Sequence, residues 1–229
     1  MKISIVIPNF NGAELLKKNL PSVHAAGVSY KEKTGNNFEI IITDDASRDA
    51  SEEIVKNLAF PVTFLPHANN VGFASNVNRG VAKSDGEIVI LLNSDVSPRK
   101  DFLMPLVEHF HNEKVFAVGC MDLSQENGKE KKRGRGVGKW SRGFLVHRAG
   151  SIAKPTTLWA SGGSSAFRKA VWEELTGMLS LYNPFYWEDI DLSYRAQKAG
   201  YLVLFEPLSQ VIHSHDEGSI KTQFTSQNI

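Results

Sequence analysis

The chain has one cysteine, no apolar run long enough to cross a bilayer and almost no net charge, and each shortage excludes a class of protein. The single Cys120, set in an apolar stretch, rules out an intramolecular disulfide and any cysteine-rich zinc site. No window approaches the ~20 apolar residues of a membrane-spanning helix. Met1-Lys2 leads straight into Ile3-Ser4-Ile5-Val6-Ile7, too short and too β-branched for a signal peptide, so the sequence predicts a soluble, cytoplasmic chain. Lys and Arg number 26 against 25 Asp and Glu, a formal net charge of +1, which leaves no electrostatic footprint for nucleic acid. Two phosphate-binding signatures are missing as well. No Gly-x-Gly-x-x-Gly follows the first strand, and no Gly-Lys-Ser/Thr loop occurs, which argues against a dinucleotide Rossmann site and a P-loop.

What is present is a βαβ series. Ile3–Ile7, Phe38–Ile42, Val62–Leu65 and Ile88–Leu92 read as short buried strands. Helical patterns lie between them over Ala13–Ala26, with Pro21 inside, from Asp49 to Leu58, and from Phe73 through Ala82. A further helix is predicted over Asp101–Asn112 and a strand over Val115–Cys120. Right-handed crossovers make such a series a parallel sheet, whose carboxyl ends share one edge where ligands bind. Three of the strands end in polar clusters: Pro8-Asn9-Phe10-Asn11-Gly12, Asp44-Asp45-Ala46-Ser47 and Asn93-Ser94-Asp95. Each could simply cap the helix that follows. Their convergence on one edge favours a ligand site, and Asp95, delivered by a buried strand, suits a metal or a metal-held phosphate ester.

The second half is organised differently. Residues 121–150 are polar and glycine-rich, and Lys129, Lys131, Lys132, Arg133, Arg135, Lys139, Arg142 and Arg148 are offset between them by Glu130. This basic segment, about 124–150, reads either as a flexible solvated loop or as a flap for a phosphate-bearing ligand or an anionic membrane surface, and no element is assigned to it. Trp159-Ala160-Ser161-Gly162-Gly163 follows, where the glycines permit close backbone approach and Trp159 suits either a sugar face or the core. A short helix is predicted over Lys169–Leu175. Phe185-Tyr186-Trp187 then precedes Glu188-Asp189-Ile190-Asp191 at the start of a helix running to Ala199. The acids suit a helix N-terminus, and the aromatics describe an apolar wall that raises a carboxylate's pKa toward that of a base. A strand over Tyr201–Phe205 and the extended Val211-Ile212-His213-Ser214-His215 complete the chain. Of the two histidines at its end, His213 and His215, at most one is expected to serve as a ligand.

Six of these segments, in order, resemble the motifs of family 2 glycosyltransferases with a GT-A fold. They are residues 5–12, residues 44–47, Asn70-Val71-Gly72-Phe73-Ala74 with Asn76, Asn93-Ser94-Asp95 in place of the family's Asp-x-Asp, Trp159–Gly163 with Trp187–Leu192, and His213 to Ser219. The pattern is most similar to bacterial rhamnosyltransferase-like members that build surface polysaccharide. The resemblance implies an α/β fold with a single Rossmann-like, mostly parallel sheet flanked by helices. It implies one domain over 1–229, with a nucleotide-sugar-binding half, 1–120, and an acceptor-binding half, 121–229.

It also implies roles. Pro8, Asn9, Asn11, Gly12, Asp44, Asp45, Ser47, Asn70, Gly72, Phe73, Asn76, Asn93 and Ser94 would bind a UDP- or dTDP-linked sugar. Asp95, with His213 or His215, would hold Mn²⁺ or Mg²⁺. Trp159, Gly162, Gly163, Glu188 and Asp191 would line the site of a glycan or lipid-linked acceptor. Asp189 would be the base of an inverting transfer. Asn93 departs from the family by standing where its first Asp does. The competing readings are a nucleotidyltransferase, which would carry a glycine-rich Arg/Lys loop after the first strand, and an inactive nucleotide-sugar-binding module.

Overall fold

A computed structural model describes residues 1–126 and 129–213. The elements, in chain order, are β1 (Ile3–Asn9), α1 (Ala13–Thr34), β2 (Phe38–Asp44), α2 (Ser51–Lys56), β3 (Thr63–Pro66), α3 (Phe73–Lys83), β4 (Ile88–Leu92), β5 (Val96–Pro98) and α4 (Leu103–Glu108). The second half adds β6 (Val115–Glu126), β7 (Lys129–Arg133), β8 (Gly136–Ser141), β9 (Phe144–Ala149), β10 (Ser164–Arg168), α5 (Lys169–Glu174), α6 (Glu188–Lys198) and β11 (Leu202–His213).

The isoleucine-rich runs become strands because both of their faces are covered. All seven residues of β1 and all five of β4 are buried. Alternate residues of each strand point to opposite faces. Ile3, Ile5 and Ile7 pack with Leu16, Leu20 and Val23 of α1 and with Phe102 and Leu106 on one side. Val6, Ile41, Val89 and Leu91 meet Val77 and Val81 of α3, Trp172 of α5, and Leu192 and Ala196 of α6 on the other. The predicted α/β layer is therefore present, with β3, β2, β1 and β4 parallel and adjacent in that order.

Beyond β4 the sheet becomes mixed. β10 runs antiparallel between β4 and β6, β11 lies parallel to β6, and β5 closes the described edge antiparallel to β11. Neither β5 nor β10 is announced by its sequence, for each is short and owes its conformation to neighbours already in place. Helix α1 outruns its expected end at Ala26 by two turns. Its polar tail is anchored by Tyr30, which is 2% exposed and donates its hydroxyl to the Met1 carbonyl at 2.6 Å. Gly35, at φ +72°, then closes the helix with its N–H on the Lys31 carbonyl.

The basic segment left without elements also carries strands. β6 extends to Glu126 and β7 folds back against it. β8 and β9 form a hairpin of their own, closed by Arg142 at φ +51° and Gly143 at φ +83°. Two central residues with positive φ are the mark of a tight two-residue hairpin turn, so Arg142-Gly143 was the available signal.

Candidate active site

The three polar strand ends meet. Asn9 and Asp44 are register partners on β1 and β2, and Asn9 Nδ2 donates to Asp44 Oδ2 at 2.7 Å. Asp44 also accepts from the Ser47 hydroxyl at 2.6 Å and from the Ser47 N–H at 2.9 Å. Asp45 accepts the N–H groups of Val71 and Gly72 at 2.7 and 3.0 Å, and Asn70 Nδ2 donates to the Asp45 carbonyl at 3.4 Å. Both acids are buried, at 3% and 5% exposure, and both are engaged by the protein's own donors, so they fix two loops at the sheet edge. Asn11 ties into the same loops: its N–H donates to Ser47 Oγ, and its Oδ1 accepts the Arg48 N–H. Pro8 is buried on β1, and Gly12 lies against Asn9 and Ser94. The Ser94 carbonyl is held by Asn19 of α1 at 2.8 Å.

Two expected nucleotide residues sit deeper. Asn76 is 2% exposed and bonds Thr43 through both ends of its amide, at 2.6 and 2.9 Å, pinning α3 to β2. Phe73 opens α3 with its N–H on the Pro184 carbonyl, and its ring faces Gly162. The structure thus brings the Asn70–Phe73 loop against the second half of the chain.

The residues expected to bind a metal are brought together by topology. Asp95 immediately precedes β5, and Val96 pairs with His213 at the described end of β11. His213 Nε2 lies 3.2 Å from Asp95 Oδ2, and Nδ1 lies 2.9 Å from Asp122 Oδ2. Burial by itself would lower the His213 pKa, but hydrogen bonds to the two carboxylates and their charges outweigh it and raise it to about 9. Oδ1 of Asp95 and Oδ1 of Asp122 are buried without a hydrogen-bond partner, as is Oγ of Ser124, the register partner of His213. Orphaned hard oxygens beside an imidazole fit a divalent cation. No group of three or more His, Cys, Asp and Glu side chains among the described residues is arranged to hold a metal by itself. His215 lies outside the described residues.

The motifs expected on the acceptor side lie beside Asn93. Asn93 donates its N–H to the Gly163 carbonyl at 2.9 Å. A Cβ on Gly163 would stand 2.8 Å from Asn93 Nδ2, so any larger residue would displace the Asn93 side chain. The adjacent Gly162 N–H donates to Asp189 Oδ2 at 3.2 Å, and the Ile190 N–H donates to Oδ1 at 2.7 Å. Burial raises the Asp189 pKa against those hydrogen bonds and the His147 charge. Glu188 is 5% exposed, its Oε2 is buried without a partner, and burial pushes its pKa up to about 7. Asp191 instead pairs with Arg195 at 2.7 Å, and Arg195 also donates to the Gly177 carbonyl at 2.6 Å, so that pair braces the loop before α6. Trp159 is half-buried, edge-on to His147 at 5.3 Å, and His147 also meets Trp187 at 5.0 Å.

Two residues in this arrangement were missed. Asp122 had a signal, being a lone acid in the apolar run Val115–Leu123. His147 had none, because only the hairpin carries it to the aromatic wall. Cys120 is buried with its thiol pKa pushed up to about 12 by burial, which leaves it chemically inert.

Comparisons with known proteins bear on the family and the fold. Residues 4–176 match the profile of Glycosyl transferase family 2. The chain is 24% identical over 220 residues to the O-antigen chain rhamnosyltransferase RfbN of Salmonella typhimurium, covering 94% of this chain and 67% of that one. It is 27% identical over 121 residues to a dolichol-phosphate mannosyltransferase of Pyrococcus furiosus, covering 52% of this chain and 33% of that one. Among solved structures, GalNAc-T7 with UDP, GalNAc and Mn²⁺ superposes at a TM-score of 0.73 and 19% identity, over 93% of this chain and 44% of that one. The mannosyltransferase PcManGT of Pyrobaculum calidifontis, in complex with GDP-Man and Mn²⁺, gives 0.68 and 17%, over 93% and 56%. The chain thus spans from a third to two thirds of the length of these proteins. The curled, mostly parallel sheet is that of the GT-A fold. With three quarters of its length matched and the motifs gathered at one sheet edge, the chain belongs to glycosyl transferase family 2.

Proposed function

We propose that this chain is an inverting, metal-dependent glycosyltransferase that moves a hexosyl or deoxyhexosyl group from a nucleoside diphosphate sugar to a hydroxyl of a glycan or lipid-linked acceptor, in the assembly of cell-surface polysaccharide. The observation that carries the reading is a pair of hydrogen bonds at adjacent glycines. Asn93, two residues before Asp95, donates to the Gly163 carbonyl and the Gly162 N–H donates to Asp189, so two adjacent glycines join the expected donor residues to the expected base.

On this reading residues 1–120 bind the donor and residues 121–229 the acceptor, within one domain. The loops fixed by Asp44 and Asp45 cradle the nucleotide, and Asn70, Gly72 and Asn93 border it. Asp95 and Nε2 of His213 would hold Mn²⁺ or Mg²⁺, which when bound would supply charge neutralisation for the departing diphosphate. Asp189 takes the proton of the acceptor hydroxyl as that oxygen attacks the anomeric carbon. The new C–O bond forms as the bond to the diphosphate breaks, configuration inverts, and the proton passes from Asp189 to solvent. Asp189 is only half-buried while Glu188 is enclosed, which favours Asp189 as the group that meets substrate. Trp159 and the glycine pair form the acceptor wall.

The β8–β9 hairpin supports a peripheral contact with an anionic membrane surface. Lys139, Arg142 and Arg148 are exposed on it, beside Trp140 and Phe144 at 60% and 74% exposure. No helix among the described residues is long and apolar enough to cross a membrane. We place the protein at the cytoplasmic face of the membrane, where a lipid-linked acceptor would present itself to the hairpin.

Calorimetry of UDP and dTDP binding, each with and without Mn²⁺, tests the donor half. Binding of one of them that strengthens with Mn²⁺ is the expected result. Folded protein that binds neither would overturn it in favour of a purine nucleotide donor or an inactive module. A radiolabelled sugar-release assay then separates a transferase from a binding module.

A further inference from the structure

The carboxylate of Asp122 is assigned no part in donor, metal or acceptor binding by the motifs, yet it is the nearer of the two acids on His213. We infer that Asp122 is the positioning residue of the metal site, holding the His213 ring by its Nδ1–H so that Nε2 is presented to the ion bound by Asp95. The inference rests on the metal-dependent reading above and deepens it.

The geometry follows from the sheet. β6 and β11 are parallel neighbours in which Val211 pairs with Asp122 and His213 with Ser124. Partners in register point to the same face, so Asp122 and His213 lie one diagonal step apart on one face. Asp95 approaches from the other side, because β5 is the opposite neighbour of β11. The two carboxylates therefore address opposite nitrogens of one imidazole. An ion that shares Nε2 with Asp95 has the ring between itself and Asp122, so Asp122 serves as its outer partner. That is the carboxylate–histidine–metal arrangement, in which the outer acid fixes the ring orientation and makes the imidazole a better donor.

Asp122 also sits where a charge would otherwise be costly. Its side chain is 14% exposed and flanked by Met121 and Leu123, which are buried against Phe205 on the opposite face. A carboxylate with one oxygen on His213 and the other, Oδ1, buried without a partner is a poor structural choice. Its retention is understandable if it acts on the ring.

The test is titration with MnCl₂ alone, and again in the presence of UDP, by calorimetry and by electron paramagnetic resonance of free Mn²⁺. The proteins are wild type, Asp122→Asn, Asp122→Leu, Asp95→Ala and His213→Ala. We expect Asp122→Leu to weaken Mn²⁺ binding 10- to 100-fold. Asp122→Asn, whose amide oxygen can still accept the Nδ1–H, should weaken it less than tenfold, so the conservative variant rescues. The visible absorption of bound Co²⁺ should differ between wild type and Asp122→Asn, which a merely structural role would leave unmoved. Melting in EDTA identifies variants that fail to fold, and Asp122→Asn carries the test if Asp122→Leu does not fold. Mn²⁺ binding within twofold of wild type in both Asp122 variants, with binding lost in Asp95→Ala and His213→Ala, overturns the inference and leaves the metal reading standing. Binding unaffected in all four variants overturns both.

Discussion

Asn9 and Asp44 face each other across adjacent parallel strands, and the Asn9 amide donates to the Asp44 carboxylate at 2.7 Å in a position sealed from solvent. The pair locks the ends of β1 and β2 together and sets the loops that follow both. Asp44→Ala leaves a buried amide with poorer partners, and we expect a loss of about 1–3 kcal/mol in a urea titration. Asp44→Asn should lose less. In both variants nucleotide affinity should fall further than stability requires, as read by calorimetry at a temperature where each is folded.

Asp189 and Glu188 are neighbours with different surroundings, and substitution distinguishes them as the base. Asp189→Asn should lower the transfer rate by about 10²–10⁴-fold while the donor dissociation constant stays near wild type. Glu188→Gln should keep the rate within about tenfold of wild type, well short of the loss expected for removing a general base. The reverse ranking in a single-turnover assay would move the base to Glu188.

Glu188 also makes stability depend on pH. Its folded pKa, about 7, lies above its ordinary value of 4.5 because burial penalises the charge. Below pH 4.5 both folded and unfolded chains hold the proton. Between 4.5 and 7 the unfolded chain releases it first, so the stability contributed by the neutral carboxyl is lost as pH rises through 7. The full difference corresponds to roughly 3 kcal/mol. Unfolding curves measured from pH 4.5 to 8 should therefore fall more steeply for wild type than for Glu188→Gln.

The hairpin contact is testable without substrate. Each basic side chain near an anionic surface contributes about 1 kcal/mol, so Lys139→Ala, Arg142→Ala and Arg148→Ala together should weaken cosedimentation with phosphatidylserine vesicles by about 100-fold. Neutral vesicles should bind wild type and variant alike. Equal binding of both proteins to the anionic vesicles removes the membrane contact from the proposed function.

The first half of the fold was legible because its information is local. Ile3–Ile7, Phe38–Ile42 and Ile88–Leu92 are dense in β-branched residues, their strands are bounded by polar turns, and short crossovers fix their order. Beyond Asp95 the helices α5 and α6 and the beginnings of β6 and β11 were still legible, but β5, β10 and the β8–β9 hairpin were not, for identifiable reasons. β5 is a three-residue strand ending in Pro98, and β10 begins in Ser164-Ser165, so neither has an apolar period to read. The β8–β9 hairpin hides among cations that, in sequence, look like solvated loop.

The candidate site divides in the same way. The sequence by itself determined which residue types stand at the strand ends: Asn9, Asp44, Asn93 and Asp95 after apolar runs, and Glu188 and Asp189 at a helix start. Tertiary structure decided what each of them touches. Asp122 reaches His213 across 91 positions of sequence, and Gly162 reaches Asp189 across 27, through contacts written only in strand register and helix docking. Register is a property of two strands and their neighbours, not of either alone. So the sequence named Asp45, Asp95 and Asp191 but not Asp122, and the tertiary structure decided that Asp45 braces a loop, Asp191 with Arg195 braces the loop before α6, and Asp95 shares an imidazole with Asp122.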